Sequence, residues 1–502
     1  MINIGSRREL FVDDYLLDVK NTTAEKRLHR PVRKKVFFEF DSPWGGSMCG
    51  YPSIFFSEGK WRMYYRASEY GIPSSIAYAE SVDGFNWEKP MLGLAEFNGS
   101  KENNIIFTLE MLKDEGFKAI DNVSVFYDTN PACPSDEKYK MLMMWCGNGA
   151  LICYVSGDGI HFRKSHVLTK EGEFDSQNVA FYSTVHGKYF CYFRGEHRPA
   201  ATAPQMDISY TDKAAAMIYD PIKGAYKAPG NGETPFVRDV RVMESEDFVN
   251  WSKPRQIEMN GEDYQLYTSG VHPYPRAPHL FVGFPDRYVE RKYWTPTYDE
   301  LCGKEDRLYR VTKESPRTGL AITDSMFMVT RNGYDFTRYN ESFLPPPPES
   351  PESFVYGDGD ISYGMMEVPS DIEGAENEYA LFILEGYRSY TRCARLRTYT
   401  IRLDGFVSLH AGGECKAVVT KPFTYSGEAM FVNIETSARG SVYFTLVDEA
   451  SGKKYTSHEI FGNSCDKRVH FLDDEAVARL SGKTVRIEMM MHDADLYSIR
   501  FE

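Results

Sequence analysis

The chain has 502 residues, and its 58 Lys and Arg against 72 Asp and Glu give a formal net charge of −14. This balance argues against a nucleic-acid-binding protein, because phosphate recognition needs clustered basic side chains. Aromatic residues are frequent, at 14%, and no run of about 18 apolar residues predicts a membrane span.

The N-terminus and the cysteines indicate a cellular compartment. The first ten residues lack the apolar stretch of a secretory signal. The nine cysteines are scattered and contain no C-x-x-C pair, so they predict neither a zinc site nor a redox motif. Scattered thiols are typical of buried small residues in a reducing environment. We therefore expect a cytoplasmic protein, and nothing in the sequence requires a metal or another cofactor.

Short strands dominate the predicted secondary structure. Runs rich in Tyr, Phe, Val and Ile, such as Lys60–Arg66 and Lys188–Arg194, are separated by Gly, Asn and Asp. Only residues 212–219 and 474–480 have helical patterns, and residues 289–316 resemble a charged loop insertion. These features predict an all-β protein.

One turn motif recurs along the chain. A polar turn, usually Asp-Gly or Asn-Gly, precedes an aromatic residue in the segments 81–87, 156–162, 245–251, 330–336 and, more weakly, 403–406. Three strands precede each turn and one follows it, which is the size of a propeller blade. We therefore predict a five-bladed β-propeller over residues 1–412, with a lead-in at 1–44, and a C-terminal β-sandwich over 413–502. Unrelated hairpins that share a turn type are the alternative.

The innermost strand of each blade should line a central funnel. Alignment on the turns places these strands at 50–55, 121–126, 175–181, 266–271 and 358–363. Asp121, Asp175 and Asp360 lie at the funnel entrance in this alignment. Aspartates at strand starts also form turns, so this placement alone does not assign them a function. Converging carboxylates with aromatic walls are what a glycosidase needs, since one donates a proton while another acts as nucleophile or base.

Other side chains of the predicted funnel are candidates for holding a sugar. Arg194 and Glu196 share one short polar cluster, and Arg276 lies in a second. Arginine suits bidentate contacts with polar ligands, although salt bridges between blades would use the same residues. The complete set of predicted substrate-binding residues is Tyr51, Arg66, Gln177, Arg194, Glu196, Tyr267 and Arg276. By contrast, the charges that alternate along 238–241 predict a network of salt bridges that supports the fold.

The blade segments 61–66 and 81–90, with the opening 10–16, carry a resemblance to known proteins. They resemble the five-bladed propeller glycoside hydrolases of families 32, 43, 62, 68, 117 and 130, and in particular a group of family-32-like bacterial proteins. The resemblance implies three acids on the inner strands of blades one to three, with Asp121 as stabiliser and Asp175 as general acid. Blade one here carries no acid, and Asp13 or Asp14 could replace it if the N-terminal segment reached the funnel.

The sequence thus favours a glycoside hydrolase-like enzyme that cleaves a small oligosaccharide or glycoside, with Asp175 as acid and Asp121 and Asp360 as its partners. A glycoside phosphorylase is a second reading, for which Arg194 and Arg276 would bind phosphate. A non-catalytic carbohydrate-binding propeller is the third. All three expect a carbohydrate partner, with no nucleic acid or membrane, and leave the oligomeric state open.

Overall fold

The computed structural model describes residues 1–198, 237–289, 291, 294–314 and 316–502. Within these residues five sheets form the blades of a propeller, so the predicted fold class is confirmed. The helix expected at 212–219 lies outside the described residues. No helix in the described part of the chain is long and apolar enough to cross a membrane.

Each blade has four main strands, ordered here from the axis outward. The first contains Gly50–Ser57, Lys60–Glu69, Ile72–Ser81 and Trp87–Glu88, with Ile105–Thr108 beside its third strand. The second contains Val123–Tyr127, Tyr139–Trp145, Ala150–Ser156 and Arg163–Thr169. The third contains Val179–Ser183, Lys188–His197, Val237–Ser245 and Arg255–Gln256. Neighbouring strands within these three blades run antiparallel. Each strand therefore runs from one face of the propeller to the other, and the next strand runs back.

The last two blades depart from this regular order. The fourth contains His272–Tyr274, Ala277–Gly283, Ile322–Thr330 and Asp335–Leu344, with Asp286–Val289 and Glu258–Met259 at its margins. The fifth contains Met366–Val368, Glu378–Glu385, Arg395–Arg402 and Val32–Glu39. The outer strand of the fifth blade therefore comes from the N-terminal lead-in, which closes the ring by pairing with a strand far away in the sequence.

The repeated turns join the third and fourth strands, as predicted for blades one to four. In each turn one side-chain Oδ1 accepts hydrogen bonds from two backbone N–H groups, two and three residues ahead, over 2.7–2.9 Å. The acceptors are Asp83, Asp158, Asp247 and Asn332. Asn replaces Asp because an amide oxygen accepts the same bonds. The fifth copy differs, since Asp404 is fully buried and the chain leaves the propeller there.

Aromatic rings fill the space between blades. Phe190 of blade three lies 5.0 Å from Phe281 of blade four, measured between ring centres in an edge-to-face contact. Phe181, on the inner strand of blade three, contacts the same Phe281 ring at 4.9 Å. Such contacts explain the high aromatic content, because each blade interface needs large flat side chains to exclude water.

The innermost strand of blade four begins later than predicted, and that of blade five is interrupted. Blade four pairs from His272 rather than 266, because the backbone N–H of Tyr267 donates instead to the carbonyl of Asp286 over 2.8 Å. In blade five the continuous strand begins at Met366, but Ile361 already bridges Ile383, and the backbone N–H of Leu384 donates to the carbonyl of Asp360 over 3.0 Å. The segments before these strands are therefore irregular, and they display their side chains at the rim of the axis.

The C-terminal residues form a separate β unit with its own core. Its ten-stranded sheet combines Ile2–Gly5, Glu9–Leu10, Glu25–Leu28, Val407–Ala411, Lys416–Val419, Phe423–Tyr425, Met430–Asp448, Lys454–Thr456, Asn463–Val469 and Val485–Phe501. The two longest of these strands pair over most of their length. The lead-in thus contributes strands to both units, and a sandwich arrangement of the C-terminal unit stays a prediction.

The few helices among the described residues are short. They are Leu109–Leu112, Lys113–Glu115, Ser135–Glu137, Pro296–Glu300, Lys304–Tyr309, Arg310–Glu314, Pro316–Leu320 and Ala476–Leu480. Four of them lie in the blade-four insertion, which the sequence indicated as a loop. The insertion is ordered around a small core of its own, in which Trp294, Tyr298 and Leu320 are buried.

Candidate active site

The candidate site lies at the end of the propeller axis where the inner strands begin, which we call the mouth. Inner strands run from the mouth toward the opposite face, so residues just before them meet at this rim. Asp121, Asp175 and Asp360 all precede inner strands, and Tyr51 lies at the start of one. The mouth therefore collects side chains from blades that are distant in sequence.

Tyrosines form one wall of the mouth. The ring of Tyr356 lies 5.9 Å from that of Tyr267, 6.0 Å from that of Tyr288 and 6.2 Å from that of Tyr387. Tyr51 completes the wall and adopts a φ of 56°, a left-handed conformation that non-glycine residues rarely take. Flat rings of this kind can stack against the apolar face of a sugar.

Arg66 fixes Asp121 at the mouth. The guanidinium forms an ion pair with Asp121 while its Nη2 donates to the carbonyl of Met48 over 2.8 Å and to the hydroxyl of Tyr387 over 3.0 Å. It also lies 5.0 Å from the centre of the Tyr51 ring. Arg66 is buried but Asp121 is 38% exposed, so a buried cation holds a carboxylate that a ligand can reach.

Arg194 holds Asp175 in a similar way. Its Nη1 lies 2.5 Å from Oδ1 of Asp175, and its Nη2 is 3.6 Å from Glu196 and 3.8 Å from Glu173. Arg194 is buried, whereas Asp175 is 44% exposed. The guanidinium also lies 5.8 Å from the centre of the Tyr267 ring. Two Asp–Arg pairs therefore face the mouth from blades one to three.

A third pair of groups consists of two buried carboxyls. Asp286 and Asp360 line a small cleft with Tyr51 and Tyr267, and Asp286 accepts a hydrogen bond from the Thr268 hydroxyl over 2.9 Å. Burial raises the pKa of Asp360 to about 6. Burial, and then the nearby Asp360, hold the pKa of Asp286 well above its usual range. Two neighbouring buried carboxyls do not both ionise readily, because each negative charge opposes the other.

Not every predicted residue joins this set. The amide of Gln177 is buried and donates to the carbonyl of Tyr51 over 3.0 Å, so it ties blade three to blade one. Arg276 lies at the other end of its inner strand, where its Nε donates to Asp404 over 3.0 Å. The structure therefore does not bring Arg276 to the mouth, because the hairpin that carries it turns on the opposite face.

The N-terminal acids do not reach the mouth either. Arg331, in the blade-four turn, donates to Asp13 over 2.6 Å, and Lys26 pairs with Asp14. Both acids lie beside turns and strands of the opposite face and the C-terminal unit. The acid missing from blade one is thus not replaced from the lead-in.

Sequence reasoning missed Asp286 and two arginines as members of the mouth. The guanidinium of Arg238 lies 4.9 Å from the Tyr288 ring centre and 5.8 Å from that of Tyr267. Arg388 lies 5.2 Å from the Tyr387 ring centre. In the sequence, Asp286 and Arg287 are the charged residues of the segment 283–287. No local pattern shows that this segment folds back to the mouth.

The neighbours of Arg238 in sequence do form a structural network. Asp239 accepts from Arg241 over 2.7 Å, and it lies 2.9 Å from Nδ1 of His197. Asp263 contacts Nε2 of the same ring at 2.9 Å. Although burial opposes it, these hydrogen bonds raise the pKa of His197. Among the described residues, no group of three or more His, Cys, Asp or Glu side chains could hold a metal ion.

Comparisons with known proteins yield likenesses of structure only. No family model matches the chain, and no curated protein matches it. A thermostable family-43 glycoside hydrolase is 13% identical, with 72% of this chain and 91% of that chain covered and a TM-score of 0.41. An N-acetylgalactosamine deacetylase from F. plautii, in complex with blood group B trisaccharide, is 11% identical, with 74% and 95% covered and a TM-score of 0.43.

A third likeness extends over nearly the whole chain. It is to a family-32 β-fructofuranosidase from Bombyx mori, which is 8% identical, with 93% of this chain and 94% of that chain covered and a TM-score of 0.38. At these sequence identities the likeness concerns the fold alone. The chemistry of the mouth follows from its own side chains.

Proposed function

We propose that the protein is a glycosidase that cleaves a small oligosaccharide or glycoside at the mouth of the propeller. The observation that carries this proposal is the crowded Asp286–Asp360 carboxyl pair in a tyrosine-lined cleft, next to two carboxylates that arginines hold. Glycoside cleavage needs one carboxyl that is still protonated and a second that is ionised. In this proposal the Asp286–Asp360 pair supplies the protonated carboxyl, and Asp121 or Asp175 supplies the second carboxylate.

Asp360 is the proton donor in this proposal. Its pKa of about 6 means that about half of the carboxyl is protonated at pH 6 and about a tenth at pH 7, and the pKa of Asp286 beside it is raised as well. A general acid works best when its pKa lies close to the working pH. This role differs from the sequence-based hypothesis, which gave the acid role to Asp175.

Asp121 and Asp175 are the partner carboxylates in this proposal. Each forms an ion pair with the guanidinium of a buried arginine, which fixes its position at the mouth. An ionised carboxylate at the mouth would stabilise the positive charge that develops on the sugar ring, or attack it directly. Arg66 acts as a positioning residue for Asp121, whereas Arg194 holds Asp175 and also offers donors to the sugar.

The tyrosine wall and the polar rim would hold the sugar. Tyr51 and Tyr267 offer ring faces, while Arg194 and Glu196 offer donors and acceptors for hydroxyl groups. Glu196 is one-third exposed, so it remains accessible beside its arginine. A small neutral or weakly charged carbohydrate fits this combination of flat apolar faces and a few directed polar groups.

The experiment that tests the proposal is a substrate screen with matched variants. Aryl glycosides and plant and host oligosaccharides are incubated with the wild type, with Asp360→Asn and Asp121→Asn, and with Asp474→Asn as an exposed control in the C-terminal unit. Cleavage by the wild type and the control but not by the two mouth variants supports the proposal. Binding of sugars without any cleavage would assign a carbohydrate-binding function instead.

A glycoside phosphorylase is the second candidate, and one observation favours it. Arg194 and Arg238 both lie 5.8 Å from the centre of the Tyr267 ring, so two guanidinium groups flank the same wall. Such a pair suits a phosphate ion. Arg276, the partner that the sequence indicated, is paired with Asp404 instead. Sugar 1-phosphate formed only with added phosphate, and lost in Arg238→Ala, would decide for phosphorolysis.

A further inference from the structure

Three tyrosines outside the tyrosine wall come together beside the mouth, and we call them the outer tyrosines. Tyr309 lies in the blade-four insertion, Tyr70 in a hairpin of blade one and Tyr390 in a hairpin of blade five. The ring centre of Tyr309 lies 4.0 Å from that of Tyr390, in a stacked arrangement, and 6.4 Å from that of Tyr70. Three segments that are distant in the sequence therefore build one aromatic surface.

The two hairpins lie on the same face of the propeller as the mouth. In blade one the strand Lys60–Glu69 brings Arg66 to the mouth and ends just before Tyr70. In blade five the backbone N–H of Leu384 donates to the carbonyl of Asp360 over 3.0 Å, near the end of the strand that precedes the second hairpin. The outer tyrosines are thus neighbours of the candidate active site.

Two charged side chains connect the outer tyrosines to the tyrosine wall. Nη1 of Arg388 donates to Glu314 over 2.9 Å, and the hydroxyl of Tyr70 donates to the other oxygen of the same carboxylate. The Arg388 guanidinium lies 5.2 Å from the ring centre of Tyr387 and 5.8 Å from that of Tyr356. Because an arginine and a glutamate stand between the two tyrosine groups, a ligand that contacts both has to extend beyond a single sugar ring.

The exposure of the outer tyrosines favours a binding surface over a clasp that only fastens the insertion. Tyr390 is 59% exposed and Tyr70 is 37% exposed, so much of the aromatic surface remains in contact with water. The blade-five hairpin is already fastened by Asp306, which accepts from the backbone N–H of Tyr390 over 2.5 Å and from Nε of Arg310 over 2.9 Å. The ring of Tyr390 is therefore not needed to hold the hairpin in place.

The chemistry of this surface suits a sugar chain better than an apolar group. An open surface does not enclose its ligand, whereas an apolar group gains most when it is removed from water on all sides. A sugar unit can place its apolar face on an aromatic ring and keep its hydroxyl groups in water. Since Arg388 is paired with Glu314, the path from the wall to the outer tyrosines requires no charge on the sugar.

We propose that the outer tyrosines form a distal sugar subsite and that the substrate is a neutral, linear oligosaccharide of at least three units. Two units flank the scissile bond at the mouth, so the unit that stacks on Tyr390 is at least the third. This inference rests on the proposed function, because it takes the mouth as the place of cleavage. The subsite selects longer chains over disaccharides.

The test compares disaccharides with tetrasaccharides in calorimetric titrations of the full chain carrying Asp360→Asn, which keeps a cleavable sugar intact. The probes are the β-1,4-linked glucose, mannose and xylose series and the α-1,4-linked glucose series. In at least one series the tetrasaccharide should bind about tenfold more tightly than the disaccharide, because it adds stacking on the outer tyrosines. Tyr390→Ala should remove this difference, and Tyr390→Phe, which retains the ring, should preserve it.

Tyr443→Ala is the matched control, since this tyrosine is similarly exposed, at 41%, but lies in the C-terminal unit. It should leave the difference between the two chain lengths unchanged. The proposal is overturned if no tetrasaccharide binds more tightly than its disaccharide, or if Tyr390→Ala and Tyr443→Ala have the same effect. The comparison of chain lengths decides the matter even if Tyr390→Ala does not fold.

The substrate screen reports separately on the proposed function. A preference for tetrasaccharides that Tyr390→Ala removes, without any cleavage by the wild type, would keep the distal subsite and exclude the glycosidase. Cleavage without a preference for the longer chain would keep the glycosidase and exclude the distal subsite.

Discussion

Arg276 of blade four and Asp404 form an ion pair, with 3.0 Å between Nε and Oδ1, that links the propeller to the C-terminal unit. Asp404 is fully buried and also accepts a hydrogen bond from the Tyr274 hydroxyl over 2.8 Å. On its other oxygen it contacts Arg8 of the lead-in at 3.2 Å and the Ser498 hydroxyl at 3.0 Å. One carboxylate thus gathers groups from the lead-in, a blade and the last strand.

Asp404→Ala should destabilise the protein by about 3–5 kcal/mol, because it leaves the buried Arg8 without one of its two counter-charges. Chemical denaturation measures the loss. Arg276→Ala should cost less, since Arg276 is more exposed and Asp404 would keep its contact with Arg8. Asp473→Ala, which breaks an exposed pair with Arg479, is the control and should cost at most about 1 kcal/mol. Equal losses in all three variants would contradict the role of Asp404.

Asp360 should control the pH dependence of the proposed cleavage. As proton donor it must be protonated, and its pKa of about 6 means that this form is lost as the pH rises through 6. The rate should therefore decline on the alkaline side of about pH 6. A pH–rate profile on the substrate found by the screen measures this, and Asp360→Asn should lower the rate by about 10²–10⁴-fold. A rate that stays constant from pH 5 to 8 would exclude Asp360 as the acid.

Asp358 should make the folded protein less stable as the pH rises. Burial raises the pKa of its carboxyl from 3.8 to about 7, although the backbone N–H of Val355 donates to it over 3.0 Å. A raised pKa in an acid means that folding favours the protonated form, so stability is greatest below pH 4 for this group and is lost toward pH 7. The loss is on the order of 4 kcal/mol.

The measurement is the free energy of unfolding at several pH values for the wild type and Asp358→Asn. The amide mimics the protonated carboxyl, so the variant should lose less stability between pH 4 and 7. Asp286 and Asp360 titrate in the same direction, and hence only the difference between the two proteins reports on Asp358. Parallel curves would show that Asp358 does not titrate in this range.

The turn aspartates should tolerate asparagine but not alanine. Asp158 accepts hydrogen bonds from the backbone N–H groups of Ile160 and His161, each over 2.8 Å. Asp158→Ala should cost about 1–2 kcal/mol, since two backbone donors lose their partner. Asp158→Asn should remain close to the wild type, as Asn332 fills the equivalent position in blade four. Thermal unfolding of the two variants distinguishes these outcomes, and equal destabilisation would contradict the proposed bonds.

The blades could be predicted from the sequence because their defining interactions are local. The turn at Asp158 is closed by bonds to residues two and three positions ahead, so its pattern is visible in the residues themselves. The same locality made the entrance acids predictable. Asp121 and Asp175 lie two and four residues before inner strands, and a strand that starts at the mouth places the residues before it there.

Only the tertiary structure decided which of these groups meet and which do not. Asp286 joins Asp360 because a strand of blade four folds back to the rim, and Arg276 leaves the site because it meets an aspartate 128 residues away. The closing strand Val32–Glu39 likewise pairs with residues more than 350 positions later. A hydrogen bond across three residues is encoded in a short pattern, whereas contacts between distant segments depend on how whole blades pack together.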